Sequence, residues 1–386
     1  MPEAIPACMV VDDVPANATY WWRAQMTAFG FAVPEEGWGR GWREQAQAPF
    51  WRPEHARRLA DLVEEFDLRG KCTLLPCPAG LGRLDRSVRR YGDAELAELL
   101  EIVRTRFAPR FNITPEVMTH SLAFDVDREA LRPHSESAWM THLATEGRHE
   151  ELADYIGRAY EILHAVGIHP HGCTIGGIVN CSGLCGKKSL ALGDGCDALA
   201  KAVLEVERRF EPGTNRSFIY TGAPPRTERS RKTGLPEPVY DAPDGGQVSQ
   251  IFSLDDVGLP AIHGRAEFDP AVDRWITPDL ADGEFVRTIE AGSALAFMVH
   301  PQTMMSLHTG QGFDILQELL ERLRRRYGGR LRWMTPLEMI RWREETDAET
   351  RRHGDAETQK KKQKRKQKKR TGANRKESQT RDRPSC

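Results

Sequence analysis

The stretch Ala7-Cys8-Met9-Val10-Val11-Asp12-Asp13-Val14-Pro15 is an apolar run that stops abruptly at two carboxylates and a proline. Five apolar residues in succession fit a strand buried on both faces, as in a parallel sheet. Pro15 ends the pairing because it has no N–H to offer a neighbouring strand. In parallel α/β folds the functional groups gather at the strand C-termini, which makes Asp12 and Asp13 candidate site residues. Consecutive side chains on a strand point to opposite faces, so one carboxylate can hold a metal ion while the other meets a water as a base. The alternative at this point is an ordinary strand-to-loop junction, with Asp13 capping the next segment.

Two more runs end in the same way. Ala294–Val299 is strongly apolar and leads into His300, a candidate for acid/base work at the mouth of a sheet. Glu116-Val117-Met118-Thr119-His120 reads as a short strand at Val117–Thr119 with His120, a candidate metal ligand, at its end; the nearest following carboxylate is Asp125. Further strand-like runs occur at Cys72–Leu75, Gly172–Ile175, Ser217–Thr221, Val248–Phe252 and Leu331–Met334. Helical periods lie at Pro53–Phe66, Asp93–Arg106, Arg148–Val166, Asp197–Phe210, Gly312–Tyr327 and Pro336–Glu345. In Arg148–Val166, the residues Leu152, Tyr155, Ile156, Ala159, Ile162 and Leu163 share one face. Strands alternating with helices predict βαβ units and a mainly parallel sheet, and their number favours a barrel over an open sheet. The Pro/Gly-rich span 212–278 reads as an irregular insertion, extending at most to 290.

Composition narrows the function classes. The chain has 386 residues, 39% hydrophobic and 29% charged, and contains no apolar run approaching membrane-spanning length. The first residues lack a basic segment followed by an apolar one, so a cytoplasmic protein with no signal peptide is expected. The eight cysteines are then expected as reduced thiols. Cys173, Cys181, Cys185 and Cys196 contain no CxxC pair, so they are read as buried thiols before a zinc cluster.

The net charge of −1 conceals an asymmetry: residues 351–386 hold 15 Lys+Arg against 4 Asp+Glu, and the rest 40 against 52. A tail built around KKKQKRKQKKR has almost nothing apolar to bury and is expected to be disordered. It is a solubilising or gene-end extension, an arm that contacts polyanions by counterion release, or, in a eukaryote, a nuclear address. If it is such an arm, truncation at 350 abolishes retention on heparin, and the retention of the full chain falls steeply with salt. The acidic body argues against nucleic acid as the main substrate.

The order of these segments resembles the polysaccharide deacetylase (NodB-homology) family of metal-dependent carbohydrate esterases. VVDDVP is similar to the family's first-strand Asp pair, and Gly70-Lys71-Cys72-Thr73-Leu74-Leu75 to its second strand. THSLAFD stands where its His-rich metal motif stands, ILHAVGIHPHGCTIGG leads into a fourth strand, and MVHPQ matches a late aliphatic-x-His motif. The resemblance covers most of residues 6–345, thinly over 180–290. It implies a distorted (β/α)7 barrel over 1–350 with one divalent metal, often zinc. It further implies Asp12 as general base, His300 as general acid, and Asp13 and His120 as metal ligands. The expected substrate is an acylated carbohydrate or a related small amide, cleaved at a C–N bond. The chain departs from the pattern at Val14, where the family has Gly, and at Phe124, where it has a second ligating His. Asp125 is the expected substitute, with His134 or His142 as alternatives. The arginine that orients the family's catalytic Asp has no counterpart in Gly172–Gly177. Asp255, Asp256, Asp273 or Trp275 stand near the family's Asp–Trp motif. The competing reading is a carbohydrate-binding relative that has lost its metal set and uses Trp21, Trp22, Trp38, Trp42 and Trp51 as a sugar-stacking surface.

Overall fold

β1 (Ile5–Val11) is buried along nearly its whole length, as an apolar run between two partners must be. In the computed structural model, described over residues 4–15, 51–89, 91–120, 122–175, 196–220, 227–257, 268–305, 310–350 and 352, the chain forms two units, Met1–Met339 and Ile340–Cys386. In the second unit residues 340–350 are helical. The predicted basic tail at 351–386 lies outside the described residues except for Arg352.

After β1 the strands of the first unit are β2 (Gly70–Leu74), β3 (Phe111–Pro115), β4 (Leu122–Asp125), β5 (Ala130–Ser135) and β6 (Cys173–Thr174). They continue with β7 (Arg216–Tyr220), β8 (Glu237–Asp241), β9 (Gln247–Ile251), β10 (Leu254–Asp256), β11 (Leu295–Val299) and β12 (Leu331–Trp333). The main helices are α1 (Pro53–Glu65), α2 (Asp93–Ile102), α3 (Glu136–Thr145), α4 (His149–Ala165), α5 (Cys196–Phe210) and α6 (Gln311–Tyr327). The fold is α/β with mainly parallel strands. One sheet runs β10-β11-β1-β2-β3, with β12 on the first half of β1, and every pairing in it is parallel. A second runs β6-β7-β9-β8, antiparallel only at β8. A parallel bridge between Glu116 and Thr174 joins β3 to β6. β4 and β5 form a separate antiparallel hairpin.

The helices cover this run with apolar stripes. The buried face of α4 holds all six predicted residues, Leu152, Tyr155, Ile156, Ala159, Ile162 and Leu163. Full burial of each large aliphatic among them contributes about 1.5–3 kcal/mol. β1 and β2 approach closely at Gly70, where a Cβ would lie 1.8 Å from the Met9 carbonyl oxygen. That approach sets the spacing between the strand that carries Asp12 and the one that carries Lys71.

The sequence reading needs three corrections. The strand expected at Val117–Thr119 lies earlier, at Phe111–Pro115, and 117–119 is a turn. The hairpin β4–β5 was not anticipated. Within the span read as irregular, 212–290, β7 and β9 fall on the strands expected at Ser217–Thr221 and Val248–Phe252, while β8 and β10 were not expected. Cys8, Cys72, Cys77 and Cys173 are buried free thiols, and burial pushes the Cys8 and Cys72 thiols up to about 12. Cys181 and Cys185 lie outside the described residues, as do Trp21, Trp22, Trp38 and Trp42. Trp51 is a core residue, stacked on Phe313 at 5.9 Å, not part of a sugar surface.

Candidate metal centre

Asp12 and Asp13 leave the C-terminal end of β1 between β2 and β11. The Asp12 amide still donates to the Val299 carbonyl at 3.0 Å, so Asp12 closes the ladder with β11. Asp13 then takes φ +62°, a left-handed conformation that Asp tolerates better than most residues. Both carboxylates are buried, at 5% and 2% exposure.

Asp12 is held by neighbours on β2. The Lys71 ammonium lies 2.7 Å from Asp12 Oδ1, and the Thr73 hydroxyl bonds to the same oxygen. Lys71 is fully buried, with its Nζ 4.1 Å from the centre of the Tyr220 ring. A buried charge of this kind persists only when paired, and here the carboxylate and the aromatic face both serve it. The position predicted to lack an orienting cation therefore has one, supplied by β2 in place of the fourth strand.

The second part of the site is the turn after β3. Val117 has φ +39° and His120 φ +60°. For a β-branched residue that conformation costs on the order of 1–3 kcal/mol and needs outside support. The Val117 amide donates to the Thr174 carbonyl at 3.2 Å. Glu136, the first residue of α3, accepts from the amides of Met118, Thr119 and His120 at 3.1, 3.2 and 3.0 Å, and from the Tyr155 hydroxyl at 2.5 Å. Burial pushes the Glu136 carboxyl up to about 7, and these donors pull the other way. Glu136→Gln places an NH2 where only acceptors fit. It should lower unfolding free energy by about 1–3 kcal/mol in urea titrations, against about 1 kcal/mol for Tyr155→Phe.

The turn brings His120 to Asp13. His120 Nε2 lies 3.5 Å from Asp13 Oδ1, and His120 Nδ1 lies 2.5 Å from Glu116 Oε1. The other Glu116 oxygen accepts the Asp13 amide at 3.2 Å. One ligand atom from each of Asp13, Glu116 and His120 falls within a 4.8 Å group. His300, beyond β11, joins the group with Nε2 3.9 Å from Asp13 Oδ2.

The electrostatics are those of a cation site. Burial, then the neighbouring Asp12 charge, pushes the Glu116 carboxyl up to about 8. Burial works against the His120 imidazolium, yet Asp13 and Glu116 outweigh it and carry its pKa well above the ordinary range. Glu116 Oε1 and His120 Nδ1 are buried, and although they face each other, neither has a hydrogen-bond partner of good geometry among the described residues. Buried polar atoms are normally satisfied. Two carboxylates and an imidazole are a donor set for zinc or a similar divalent ion, so the residues present fit a metal.

Of the residues expected from sequence, the structure brings together Asp12, Asp13, His120 and His300. Asp125 lies elsewhere: it pairs with Arg132 at 3.1 Å and accepts the Arg128 amide, and the Arg128 contact, ahead of Arg132, holds its carboxyl below the usual range. The third member of the group is Glu116, quoted in the same stretch of sequence but given no role there. His134 and His142 are exposed and outside the group. Asp273 pairs with Arg322, and Trp275 is fully buried. Lys71, Glu116 and Glu136 were all missed. The spacing Glu116-x-x-x-His120 was the one local signal available.

No protein-family model matches the chain, and no curated protein matches its sequence. Among solved structures it is similar to the allantoinase Puue, at 13% identity and a TM-score of 0.46 over 88% of this chain and 90% of that one. A probable polysaccharide deacetylase from Pseudomonas aeruginosa is similar at 11% identity and a TM-score of 0.43, over 87% and 90%. A lactam utilization protein from Thermus thermophilus is similar at 12% identity and a TM-score of 0.34, over 83% and 96%.

Proposed function

We propose that this chain is a divalent-metal-dependent hydrolase of carbon–nitrogen bonds, acting on an acylated sugar or a related small amide. The observation that carries this reading is the convergence of Asp13, Glu116 and His120 within 4.8 Å at strand C-termini, flanked by Asp12 and His300. In the finer fold reading the strands form a distorted seven-unit barrel. What supports this is the short link from β9 through Phe252 and Ser253 to β10, which pairs with β11 at the far edge of the first sheet.

Asp13, Glu116 and His120 would hold the cation. When bound, it supplies Lewis-acid polarisation of an amide carbonyl. Among the described residues both side-chain contacts on Asp12, from Lys71 and Thr73, fall on Oδ1, which leaves Oδ2 to take a proton from an attacking water. Lys71 and Thr73 fix the orientation of that carboxylate. His300, on the neighbouring strand end, donates a proton to the departing nitrogen. Its side chain is 18% exposed, so solvent can reprotonate it between turnovers. Protonating nitrogen is the demand that separates amide from ester cleavage, and His300 is placed to meet it.

The test is a hydrolysis screen with zinc, cobalt or manganese added to the chelator-treated chain, over N-acetylated sugars, cyclic amides and open-chain amides. Release of amine from one class, lost in Asp12→Asn and His300→Ala, supports the proposal. A chain that binds one cation at this site yet cleaves none of these classes, while a glycan raises its melting temperature, is a binding protein instead.

A further inference from the structure

A second group of ligating side chains lies at the other end of the strands. His164 is in the last turn of α4, which ends at Ala165 just before the chain reverses at Gly167, φ +74°. His169 follows in the connection to β6. Glu211 follows the last residue of α5, Phe210, with its amide bonded to the Glu207 carbonyl at 2.7 Å. α4 and α5 are the helices that lead into β6 and β7, so their C-termini sit at the strand N-ends, away from Asp12 and Asp13.

The three side chains face one another. His169 Nδ1 lies 3.2 Å from Glu211 Oε1. The rings of His164 and His169 are 4.7 Å apart and nearly perpendicular. The His164 ring is stacked on Phe210 at 4.7 Å, which fixes its plane. His164 Nε2 is buried and has no hydrogen-bond partner among the described residues. One ligand atom from each of the three lies within 4.8 Å of the others. His169 is exposed, which gives a cation entry from solvent.

We propose that His164, His169 and Glu211 form a second site for a borderline transition-metal ion, zinc above all, that ties the C-terminus of α4 to that of α5. Two imidazoles and a carboxylate select zinc, nickel or copper over magnesium or calcium. Two helix C-termini, at 17 and 15 residues of helix, add negative dipole ends that favour a cation. At the strand N-ends such an ion stabilises the scaffold and takes no part in the chemistry at the opposite face.

The experiment uses the full-length, untagged chain, stripped with chelator and titrated with zinc, with bound metal counted after gel filtration. The wild-type chain should retain two equivalents. His169→Ala and Glu211→Gln, both at the surface, should each retain one and lose part of the zinc-induced rise in melting temperature. Asp13→Ala should also retain one, and combining it with His169→Ala should leave none. The inference is overturned if His169→Ala and Glu211→Gln leave zinc stoichiometry and the melting shift unchanged, whatever Asp13→Ala does. If Asp13→Ala does not fold, the two surface variants in the wild-type background decide the matter alone. Loss of the Asp13 equivalent only would overturn this site and keep the catalytic reading; loss of the His169 equivalent only would do the reverse.

Discussion

Zinc binding at the Asp13–Glu116–His120 group should strengthen up to about pH 8 by about tenfold per pH unit for each of the two protons displaced, measured in the His169→Ala variant so that one site is read. Both shifted groups act in the same direction. Glu116 holds a proton below about 8, because burial and the Asp12 charge disfavour a further buried anion. His120 holds one well above the ordinary imidazole range, after Asp13 and Glu116 overcome the cost of burying its charge. A cation needs the carboxylate and the neutral ring, so loading must expel protons. Calorimetry in two buffers of different ionisation enthalpy should find at least one proton released per zinc at pH 7. The metal-free chain should show the complementary trend. A carboxyl whose folded pKa is raised contributes stability below its unfolded value, which is lost as pH climbs to the folded value. For Glu116 that window runs from about 4.5 to about 8, and for His120 it opens at about 6.5 and extends upward. The gap in melting temperature between zinc-loaded and chelator-treated protein should therefore widen from pH 6 to pH 8. A gap that does not change with pH would remove these two residues from the metal set.

Why these two residues were unequally visible follows from how the turn is built. His120 and Asp13 could be singled out because each ends or follows an apolar run, a local pattern. Glu116 could not, since what brings it to Asp13 is the pairing of β2 with both β1 and β3 across 103 residues of chain. The left-handed residues Val117 and His120 then fold the turn back on itself, and no propensity rule assigns a valine to such a position. The same turn explains the misplaced strand. Val117-Met118-Thr119 has strand composition, but Pro115 ends the ladder and Glu136 captures the three amides that a strand would have used. Glu136 itself reads in the sequence as an ordinary acidic residue in the first turn of a helix. The central strands and the long helices were legible because burial on both faces or one stripe imposes a period. The hairpin β4–β5 was not, because its register is irregular between Leu122 and Phe124 and its second strand carries Pro133.

Under the proposed function, Asp12→Asn should lower turnover of an amide by about 10²–10⁴-fold, the range a positioned general base supplies, and should also destabilise the fold. The second effect arises because Asn leaves the Lys71 ammonium in the interior without a counterion. Breaking a buried pair from one side costs about 3–5 kcal/mol. Lys71→Met alone strands the Asp12 carboxylate in the same way, and its loss of orientation should depress turnover while the base is still present. The double variant, Asp12→Asn with Lys71→Met, separates the two roles. Replacing both partners removes two desolvated charges together, and such replacements are often close to neutral for stability. Stability in urea should thus recover most of what either single variant loses, giving a coupling energy of about 5 kcal/mol or more across the cycle. Activity should not recover at all, since no carboxylate remains at position 12 to take the proton. If the double variant regained turnover along with stability, Asp12 would be a structural partner of Lys71 and the proton would have to leave the water by another route. Of the other groups named around Asp13 among the described residues, His300 alone is neither in the metal set nor tied to Lys71, so loss of the regained turnover when His300→Ala is added would then identify that route.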